Sequence, residues 1–391
     1  MNEEKSPWGI LTGIRPVKIA SKLLREGMTA AEAETHFVRE FGTSAEKARL
    51  AVGTAEVERP IVDGMYKNGV SLYIGIPFCP TRCLYCSFVS NSVARSAKLI
   101  PEYLDCLMRE IKYAADIIKG NGNVIETVYI GGGTPTTLSA EMLDRLFDCL
   151  YLQTDLSKIK EFTVEAGRPD TITEDKLKTI KKYNIGRISI NPQTMNPDVL
   201  KVIGRNHTPE DIEKAMYLAR ECGIECINMD LIAGLPSDTL DSFKSTVERV
   251  ERLKPENTTV HTMSVKRSSK LNEELADYSL TEGDTVSDMV DYAFRSLTEK
   301  GKHPYYLYRQ KHMLGNLENV GYSLPGTEGL YNIYIMEEMQ TIISLGCGGV
   351  TKTVDRETDR IERIFNVKEP KDYIERIDEM LHRKDVLIKT E

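Results

Sequence analysis

Three cysteines, Cys79, Cys83 and Cys86, stand at a C-x3-C-x2-C spacing directly after the strand-like run 70–76. Cysteine thiolates are the usual ligands of iron–sulfur clusters, and a four-iron cube held by three thiolates keeps one iron free of protein ligands. An open coordination position can bind a small molecule, as it does on catalytic zinc. The spacing therefore predicts a reactive cluster and not a sealed structural one.

Composition and charge narrow the class of protein that could carry this cluster. The chain has 391 residues, of which 41% are hydrophobic, as expected for a globular protein with a sizeable core. Eight cysteines in such a length do not suggest a disulfide framework and suit a reducing cytoplasm. A net charge of −8 argues against a nucleic-acid partner, and no apolar run approaches the ~20 residues of a membrane span. We expect a cytoplasmic enzyme.

The pattern of predicted elements divides the chain into three regions. Residues 1–68 are predicted to be helical, with capping-box patterns at 29–32 and 43–46. Residues 69–268 alternate strand-like and helical stretches, which predicts a parallel α/β sheet. The predicted strands are 71–76, 127–130, 162–164, 187–190, 225–232 and 259–265. Six strands are fewer than the eight of a closed barrel, so we expect a partial (β/α)6 TIM-like barrel. The alternation of strand-like and helical stretches ends there, and residues 269–391 are predicted to form an α+β region.

Further candidate residues fall where predicted strands end, at the rim where α/β barrels place their active sites. Gly131-Gly132-Gly133-Thr134-Pro135 follows the second strand, and three glycines allow a ligand to approach the backbone closely, although an ordinary βα turn is also possible. Glu165 ends the third strand, Gln193 follows the fourth, and Asp230 lies in the fifth. Polar side chains converging on one rim suit the ribose hydroxyls and amino group of a nucleoside ligand.

The cysteine motif, taken together with Gly131–Pro135, resembles the radical S-adenosylmethionine superfamily. Longer strings resemble the oxygen-independent coproporphyrinogen III oxidase family; these strings are residues 73–79, 131–136, 164–166, 204–207 and 228–236. Residues 8–16, 305–311 and 316–322 are similar to the Firmicute-type branch of coproporphyrinogen dehydrogenases. The resemblance covers almost the whole chain.

This resemblance implies a radical S-adenosylmethionine barrel with a [4Fe–4S] cluster on Cys79, Cys83 and Cys86. S-adenosylmethionine would bind the open iron, and its cleavage would give a 5′-deoxyadenosyl radical. The residues expected to contact it are Tyr73, Gly131, Gly132, Gly133, Thr134, Glu165, Gln193, Arg205 and Asp230. A reduced flavodoxin or a ferredoxin-type protein would supply the electron.

In the family the substrate is coproporphyrinogen III, two of whose propionates become vinyl groups to give protoporphyrinogen IX. Its four carboxylates require cationic partners. The candidates are Arg15, Lys18, Lys266, Arg267, Arg309 and Lys311, and Arg309 ranks first because tyrosines surround it in the sequence. Tyr305, Tyr306 and Tyr308 could face a tetrapyrrole or simply pack a strand.

Two departures from the family pattern leave the substrate open. Phe88 stands where well-studied coproporphyrinogen dehydrogenases carry a further cysteine, and Gly75 stands where they carry a histidine. Cys86-x-Phe88 is similar to the haem-chaperone branch, but residues 331–336 lack that branch's haem-binding histidine. The alternatives are a haem-binding or haem-transfer protein, and a radical enzyme that acts on another tetrapyrrole.

Overall fold

The structure, a computed structural model, describes residues 6–11, 15–88, 91–310, 313–355, 358 and 360–388. Its strands are β1 (Gly69–Ile76), β2 (Phe78–Cys79), β3 (Asn91–Ser92), β4 (Val124–Gly132), β5 (Glu161–Gly167), β6 (Arg187–Ile190), β7 (Cys226–Ala233), β8 (Asn257–Thr262), β9 (His303–Tyr308), β10 (Asn319–Ser323), β11 (Thr341–Leu345), β12 (Val350–Asp355) and β13 (Arg360–Phe365). Its helices are α1 (Pro16–Arg25), α2 (Ala30–Phe41), α3 (Ala45–Asp63), α4 (Val93–Ser96), α5 (Ile100–Gly120), α6 (Ala140–Gln153), α7 (Glu174–Lys182), α8 (Pro197–Val202), α9 (Pro209–Glu221), α10 (Leu240–Arg252), α11 (Lys270–Glu273), α12 (Gly283–Glu299), α13 (Leu330–Glu337), α14 (Pro370–Glu375) and α15 (Ile377–His382).

The N-terminal region is helical, as the capping signals indicate. Thr29 and Glu32 form the predicted capping box at the start of α2. At α3 the helix begins one residue later than predicted. Ser44, not Thr43, is the N-cap, and its side chain accepts a hydrogen bond from the Lys47 N–H at 3.2 Å. Ser44 is the residue placed to accept from the third helical residue, as a cap does.

The predicted parallel sheet is confirmed. Strands β1, β4, β5, β6, β7 and β8 lie side by side in that order, each parallel to its neighbour. Because all run the same way, their carboxyl ends share one edge of the sheet, and the loops that follow them meet there. Fully buried aliphatic side chains on these strands, such as Val128, Val164 and Ile227, belong to one hydrophobic core that also contains side chains of the helices.

The C-terminal region extends the same sheet at both ends. β11 pairs in parallel with β1, and β12 and β13 follow it as antiparallel strands. At the other end β10 pairs antiparallel with β8, and β9 lies outside it. Among the residues that the structure describes, the sheet therefore has eleven strands with β13 and β9 at its edges, so the barrel is open. In the described part of the chain, no helix is both long and apolar enough to cross a membrane.

Candidate functional site

The loop between β1 and α4 carries the three cysteines, and it is fixed on both sides. We call residues 78–88 the cluster loop. Leu84 donates its N–H to the Ile203 carbonyl at 3.1 Å and accepts from the Leu271 N–H at 2.9 Å. Cys79, Cys83 and Cys86 are free thiols that line one cavity of about 390 Å³, which we call the first cavity. The fold therefore brings together the three thiols that the spacing predicted.

The donor set of the first cavity fits a four-iron cube better than a single ion. Among the described residues, no three His, Cys, Asp or Glu side chains converge closely enough to hold one metal ion. A cube spreads its protein ligands over separate iron atoms, so its thiolates need not meet at a point. Three free thiols around a common space, without a fourth cysteine among the cavity's described lining, are the pattern that such a cube with one open iron requires.

The glycine turn after β4 lies directly beneath the cluster loop. Gly133 donates to the Ile76 carbonyl at 2.8 Å, and Thr134 donates its N–H to the Phe78 carbonyl at 2.7 Å. A Cβ on Gly133 would lie 2.6 Å from the Phe78 carbonyl oxygen, and Gly132 has a φ of +104°. Only glycine fits both positions without displacing the loop. The turn is thus packed closely against the backbone that leads into Cys79.

Two carboxylates occupy the next strand ends, and their surroundings push their pKa values apart. Glu165 accepts a hydrogen bond from the Tyr129 hydroxyl at 2.5 Å, and burial raises its pKa to about 7. Burial also opposes ionisation of Asp230, but the His261 imidazole at 3.8 Å and a hydrogen bond from the Asn228 side chain at 2.8 Å bring its pKa below the ordinary value. Asp230 is therefore an anion at neutral pH, whereas Glu165 can be protonated or ionised.

Gln193 and Arg205 close the far side of the first cavity. Gln193 has a φ of +66°, and its side-chain oxygen is buried without a hydrogen-bond partner. Arg205 donates to the Asn191 carbonyl at 2.5 Å, while its Nε is buried without a partner. Buried polar atoms of this kind carry a desolvation cost unless a ligand satisfies them. They line the same space as Cys79, Glu165 and Asp230.

A second cavity of about 460 Å³ adjoins the first. The residues that border both are Phe88, Gly132, Glu165, Tyr308 and Gln310. Tyr73, Tyr129 and Tyr331 form a stack along the second cavity, with ring centroids 4.6–6.2 Å apart. The predicted Tyr73 therefore lies in the second cavity, whereas Gly131 is placed beneath Glu165, whose carboxyl a Cβ would meet at 2.9 Å.

Three of the predicted cationic residues border the cavities. Arg15 lines the second cavity and pairs with Glu338. Arg309 also lines it, but its guanidinium donates to the carbonyls of Leu11 and Asn316 and lies 5.0 Å from the Trp8 ring centroid. Lys311 lies outside the described residues. Lys266 borders the first cavity, and its ammonium donates to the Gln310 side chain.

Sequence reasoning missed several residues of the second cavity. Tyr129 stands two residues before Gly131 and shares its face of β4, a signal that was available. Tyr331 and Met336 come from α13 and Lys352 comes from β12, and neither element follows a strand of the predicted barrel. Of the three candidate tyrosines, Tyr308 borders the cavities, whereas Tyr305 and Tyr306 are buried in a separate hydrophobic cluster.

Comparison with known proteins shows the family of the chain. The family model of the radical SAM superfamily matches residues 73–250, which run from β1 into α10. The chain is 44% identical to the oxygen-independent coproporphyrinogen-III oxidase-like protein HemZ of Bacillus subtilis over 380 residues, which are 96% of this chain and 76% of HemZ.

Some relatives are named heme chaperones, and a solved structure carries the oxidase name. The heme chaperone HemW of Lactococcus lactis is 32% identical over 69% of this chain and 66% of its own length. Among solved structures, coproporphyrinogen III oxidase (HemN) from Escherichia coli superposes with a TM-score of 0.64 at 23% identity, over 84% of this chain and 73% of that one. This last likeness supports the fold. The chain therefore belongs to the radical S-adenosylmethionine superfamily and, within it, to the oxygen-independent coproporphyrinogen III oxidase family, whose cofactors are a [4Fe–4S] cluster and S-adenosylmethionine.

Proposed function

We propose that this protein converts two propionates of coproporphyrinogen III to vinyl groups by radical oxidative decarboxylation, giving protoporphyrinogen IX. The observation that carries the proposal is the junction of the two cavities at Gly132 and Glu165. One cavity is lined by three thiols, and the other is lined by stacked tyrosines together with Arg15, Arg309 and Lys352. A flat macrocycle with carboxylate arms matches the second cavity in both respects.

The residues around the first cavity receive the cofactors in this proposal. Cys79, Cys83 and Cys86 would hold the cluster. S-adenosylmethionine would lie against Gly132, Gly133 and Thr134, with its ribose and adenosyl groups held by Glu165, Gln193, Arg205 and Asp230. Two expected contacts, Tyr73 and Gly131, do not line the first cavity: Tyr73 lines the second, and Gly131 lies beneath Glu165. When bound, these cofactors supply one electron and a 5′-deoxyadenosyl radical that abstracts hydrogen from carbon.

The chain's own contribution is to position the substrate and exclude other reactants. The Tyr129 hydroxyl fixes the Glu165 carboxyl at the junction, and the Tyr73, Tyr129 and Tyr331 rings offer a stacking face. A macrocycle bound against these rings would place one substrate carbon near the radical and exclude water from the junction. The electron donor in this proposal is a reduced flavodoxin or a ferredoxin-type protein of the cytoplasm.

Haem binding or transfer is the second candidate, because relatives include proteins named heme chaperones. Phe88, 69% exposed at the mouth of both cavities, is the residue that favours it, since it replaces a cysteine of the dehydrogenases. Against it, the described lining of the second cavity contains no histidine to bind haem iron. Titration with haem separates the two: a Soret shift at micromolar protein supports haem binding, and its absence removes this candidate.

Anaerobic turnover tests the proposal directly. Reconstituted protein with S-adenosylmethionine, a reductant and coproporphyrinogen III should yield vinyl-bearing product and 5′-deoxyadenosine in parallel. If 5′-deoxyadenosine forms but no vinyl product does, coproporphyrinogen III is the wrong substrate.

Cys83→Ala should abolish both cluster absorbance and S-adenosylmethionine cleavage, because the cube loses one of only three protein ligands. Cys106→Ala is the matched control: Cys106 is equally buried, at 7% exposure against 8% for Cys83, but it lies in α5 away from both cavities. It should keep its cluster. Cleavage surviving in Cys83→Ala would disprove the three-thiolate assignment.

A further inference from the structure

Glu338 gathers four cationic side chains, two of which, Arg15 and Lys352, line the second cavity. Its carboxylate pairs with Arg15, with the Lys18 ammonium at 3.5 Å, with the Lys352 ammonium at 3.3 Å and with the Arg363 guanidinium at 3.3 Å. These cations come from three separate places in the chain: the start of α1, β12 and β13. We call these five residues the Glu338 rim.

The charges of the Glu338 rim do not balance. The buried ammonium of Lys47, by contrast, meets two carboxylates, those of Asp291 and Glu318. At the rim, four cations face one carboxylate, which is itself only 10% exposed. The four cations repel one another where solvent is partly excluded, and a second bound anion would offset this Coulomb repulsion.

Other charges near the Glu338 rim do not remove this excess. Glu337 is a further carboxyl beside these cations, and burial raises its pKa to about 7 even though Lys18, Arg15 and Arg25 act to lower it. Burial also raises the pKa of the neighbouring Glu58 well above its ordinary value. Glu337 therefore carries only part of a negative charge at neutral pH. Arg25 adds positive charge to the same neighbourhood. When the four rim cations are counted against Glu338 and a partly ionised Glu337, and Arg25 is left out, the rim keeps a surplus of about two to three positive charges.

The backbone also marks Glu338 as a special position. It has a φ of +52°, in the left-handed region that residues other than glycine seldom adopt. It directly follows α13, whose Tyr331, Ile335 and Met336 line the second cavity. Glu338 is the C-cap of α13, and the left-handed turn there places its carboxylate among the four cations.

The location of the Glu338 rim connects it to the second cavity and not to the first. Arg15 and Lys352 line the second cavity and are not part of the first. The junction residues Gly132 and Glu165 belong to both cavities. An anionic group held at the rim therefore shares a cavity with the tyrosine stack.

We propose that the Glu338 rim is the carboxylate-binding subsite for the substrate, with Arg15, Lys18, Lys352 and Arg363 holding ionised side arms of the macrocycle. This inference rests on the proposed function, because it takes the substrate to be a polycarboxylate tetrapyrrole. The arms bound at the rim anchor one side of the macrocycle, which leaves another side for the junction with the first cavity. Arg309 has a different role, since its guanidinium is already engaged by two backbone carbonyls.

Binding of a stable porphyrin tests the rim without turnover. Coproporphyrin III, the oxidised tetracarboxylate, is titrated into the cluster-loaded protein with S-adenosylmethionine, and its fluorescence is followed. The tetramethyl ester, which keeps the ring and lacks the charges, is the second ligand. Wild-type protein should bind the acid at least about tenfold more tightly than the ester, and added salt should weaken binding of the acid only.

Variants locate the effect. Lys352→Gln and Arg363→Gln should each weaken coproporphyrin III binding by about threefold to tenfold, without changing binding of the ester. Arg109→Gln is the matched control, because Arg109 is exposed to a similar degree as Arg363 and also pairs with a carboxylate, Asp378, but on the outside of α5. It should bind both ligands as the wild type does, and thermal melts check that each variant is folded.

The outcomes separate this inference from the proposed function. Vinyl product formed by the wild type, with unchanged coproporphyrin III affinity in the folded Lys352→Gln and Arg363→Gln variants, would overturn the Glu338 rim and leave the activity standing. Rim-dependent binding of coproporphyrin III without vinyl product would sustain the rim and reject the decarboxylation. Equal affinity of the wild type for acid and ester would also reject the rim.

Discussion

At the scale of single residues, Gln193 shows how the candidate site differs from an ordinary strand end. Its backbone N–H donates to the Asp230 carbonyl at 2.9 Å, and its own carbonyl accepts from Ile232 at 3.0 Å, so the residue is held between two bonds to β7. That placement requires a φ of +66° and leaves the side-chain oxygen buried and unpartnered. Both features are unfavourable for folding alone, and strain of this kind concentrates at functional sites.

Gln193→Gly should therefore stabilise the fold while weakening the site. We expect the free energy of unfolding to rise by about 1 kcal/mol, because glycine adopts the left-handed region without penalty. S-adenosylmethionine affinity should fall by about tenfold through loss of the side-chain amide. Urea denaturation and equilibrium binding measure the two effects.

Lys254→Gly is the control for this trade. Lys254 also has a left-handed φ, +53°, but it is exposed after α10 and lines neither cavity. It should gain stability with no change in S-adenosylmethionine affinity. If both glycine variants lose affinity equally, the Gln193 side chain has no part in binding.

At the scale of elements, the end of β4 sets the position of the cluster loop. The backbone bonds from Gly133 and Thr134 reach Ile76 and Phe78, which closely precede Cys79. The Thr134 hydroxyl lies 3.4 Å from the Cys79 sulfur. The turn after β4 thus supports the first thiol through both backbone and side-chain contacts.

Gly133→Ala should disturb cluster assembly. The new methyl group would lie 2.6 Å from one backbone atom of the segment 76–78 and 2.8 Å from two others, so the loop must move. We expect iron content after reconstitution to fall by more than half, with a loss of stability of about 1–3 kcal/mol from overpacking. Gly186→Ala, where a Cβ would meet nothing within 4 Å, should retain wild-type iron content. Full iron loading of Gly133→Ala would show that the loop is not held by this turn.

At the scale of the whole molecule, buried ionic contacts join distant parts of the chain around the second cavity. Glu318, which is fully buried, accepts hydrogen bonds from the Trp8 indole and from the Lys47 ammonium, each at 2.6 Å. The Arg309 guanidinium lies over the Trp8 ring, 5.0 Å from its centroid. The N-terminal segment is therefore fastened to the loop before β10, and the single tryptophan of the chain is used for that contact.

Lys47→Met should destabilise the protein by about 3–5 kcal/mol, because it leaves the Glu318 charge buried without its cationic partner. Chemical denaturation gives the magnitude. The double variant Lys47→Met with Glu318→Gln removes the uncompensated charge and should recover part of the loss. A double variant no more stable than Lys47→Met would mean that packing, and not charge, dominates at this contact.

The amino-acid sequence by itself determined the parallel strands, the cysteine loop and the polar strand ends. These features are local: apolar runs fix the strands, glycine fixes the turn, and cysteine spacing fixes the thiols. Strand ends also meet without knowledge of distant contacts, because parallel strands place their carboxyl ends on one edge. The pattern of residues alone therefore assigns Cys79, Glu165, Gln193 and Asp230 to one rim.

Only the tertiary structure decided which residues form the second cavity beside these strand ends. Sequence pattern does not reveal that β11 pairs with β1. It also does not reveal that α13 and β12 bring Tyr331 and Lys352 to the second cavity, or that β13 brings Arg363 to the Glu338 rim. These contacts join residues that are far apart in the chain. Sequence pattern also ranked Arg309 above Arg15, whereas the fold engages Arg309 with backbone carbonyls and gathers Arg15 at Glu338. The physical reason is that the environment of a charge depends on the charges folded around it, and local sequence does not contain them.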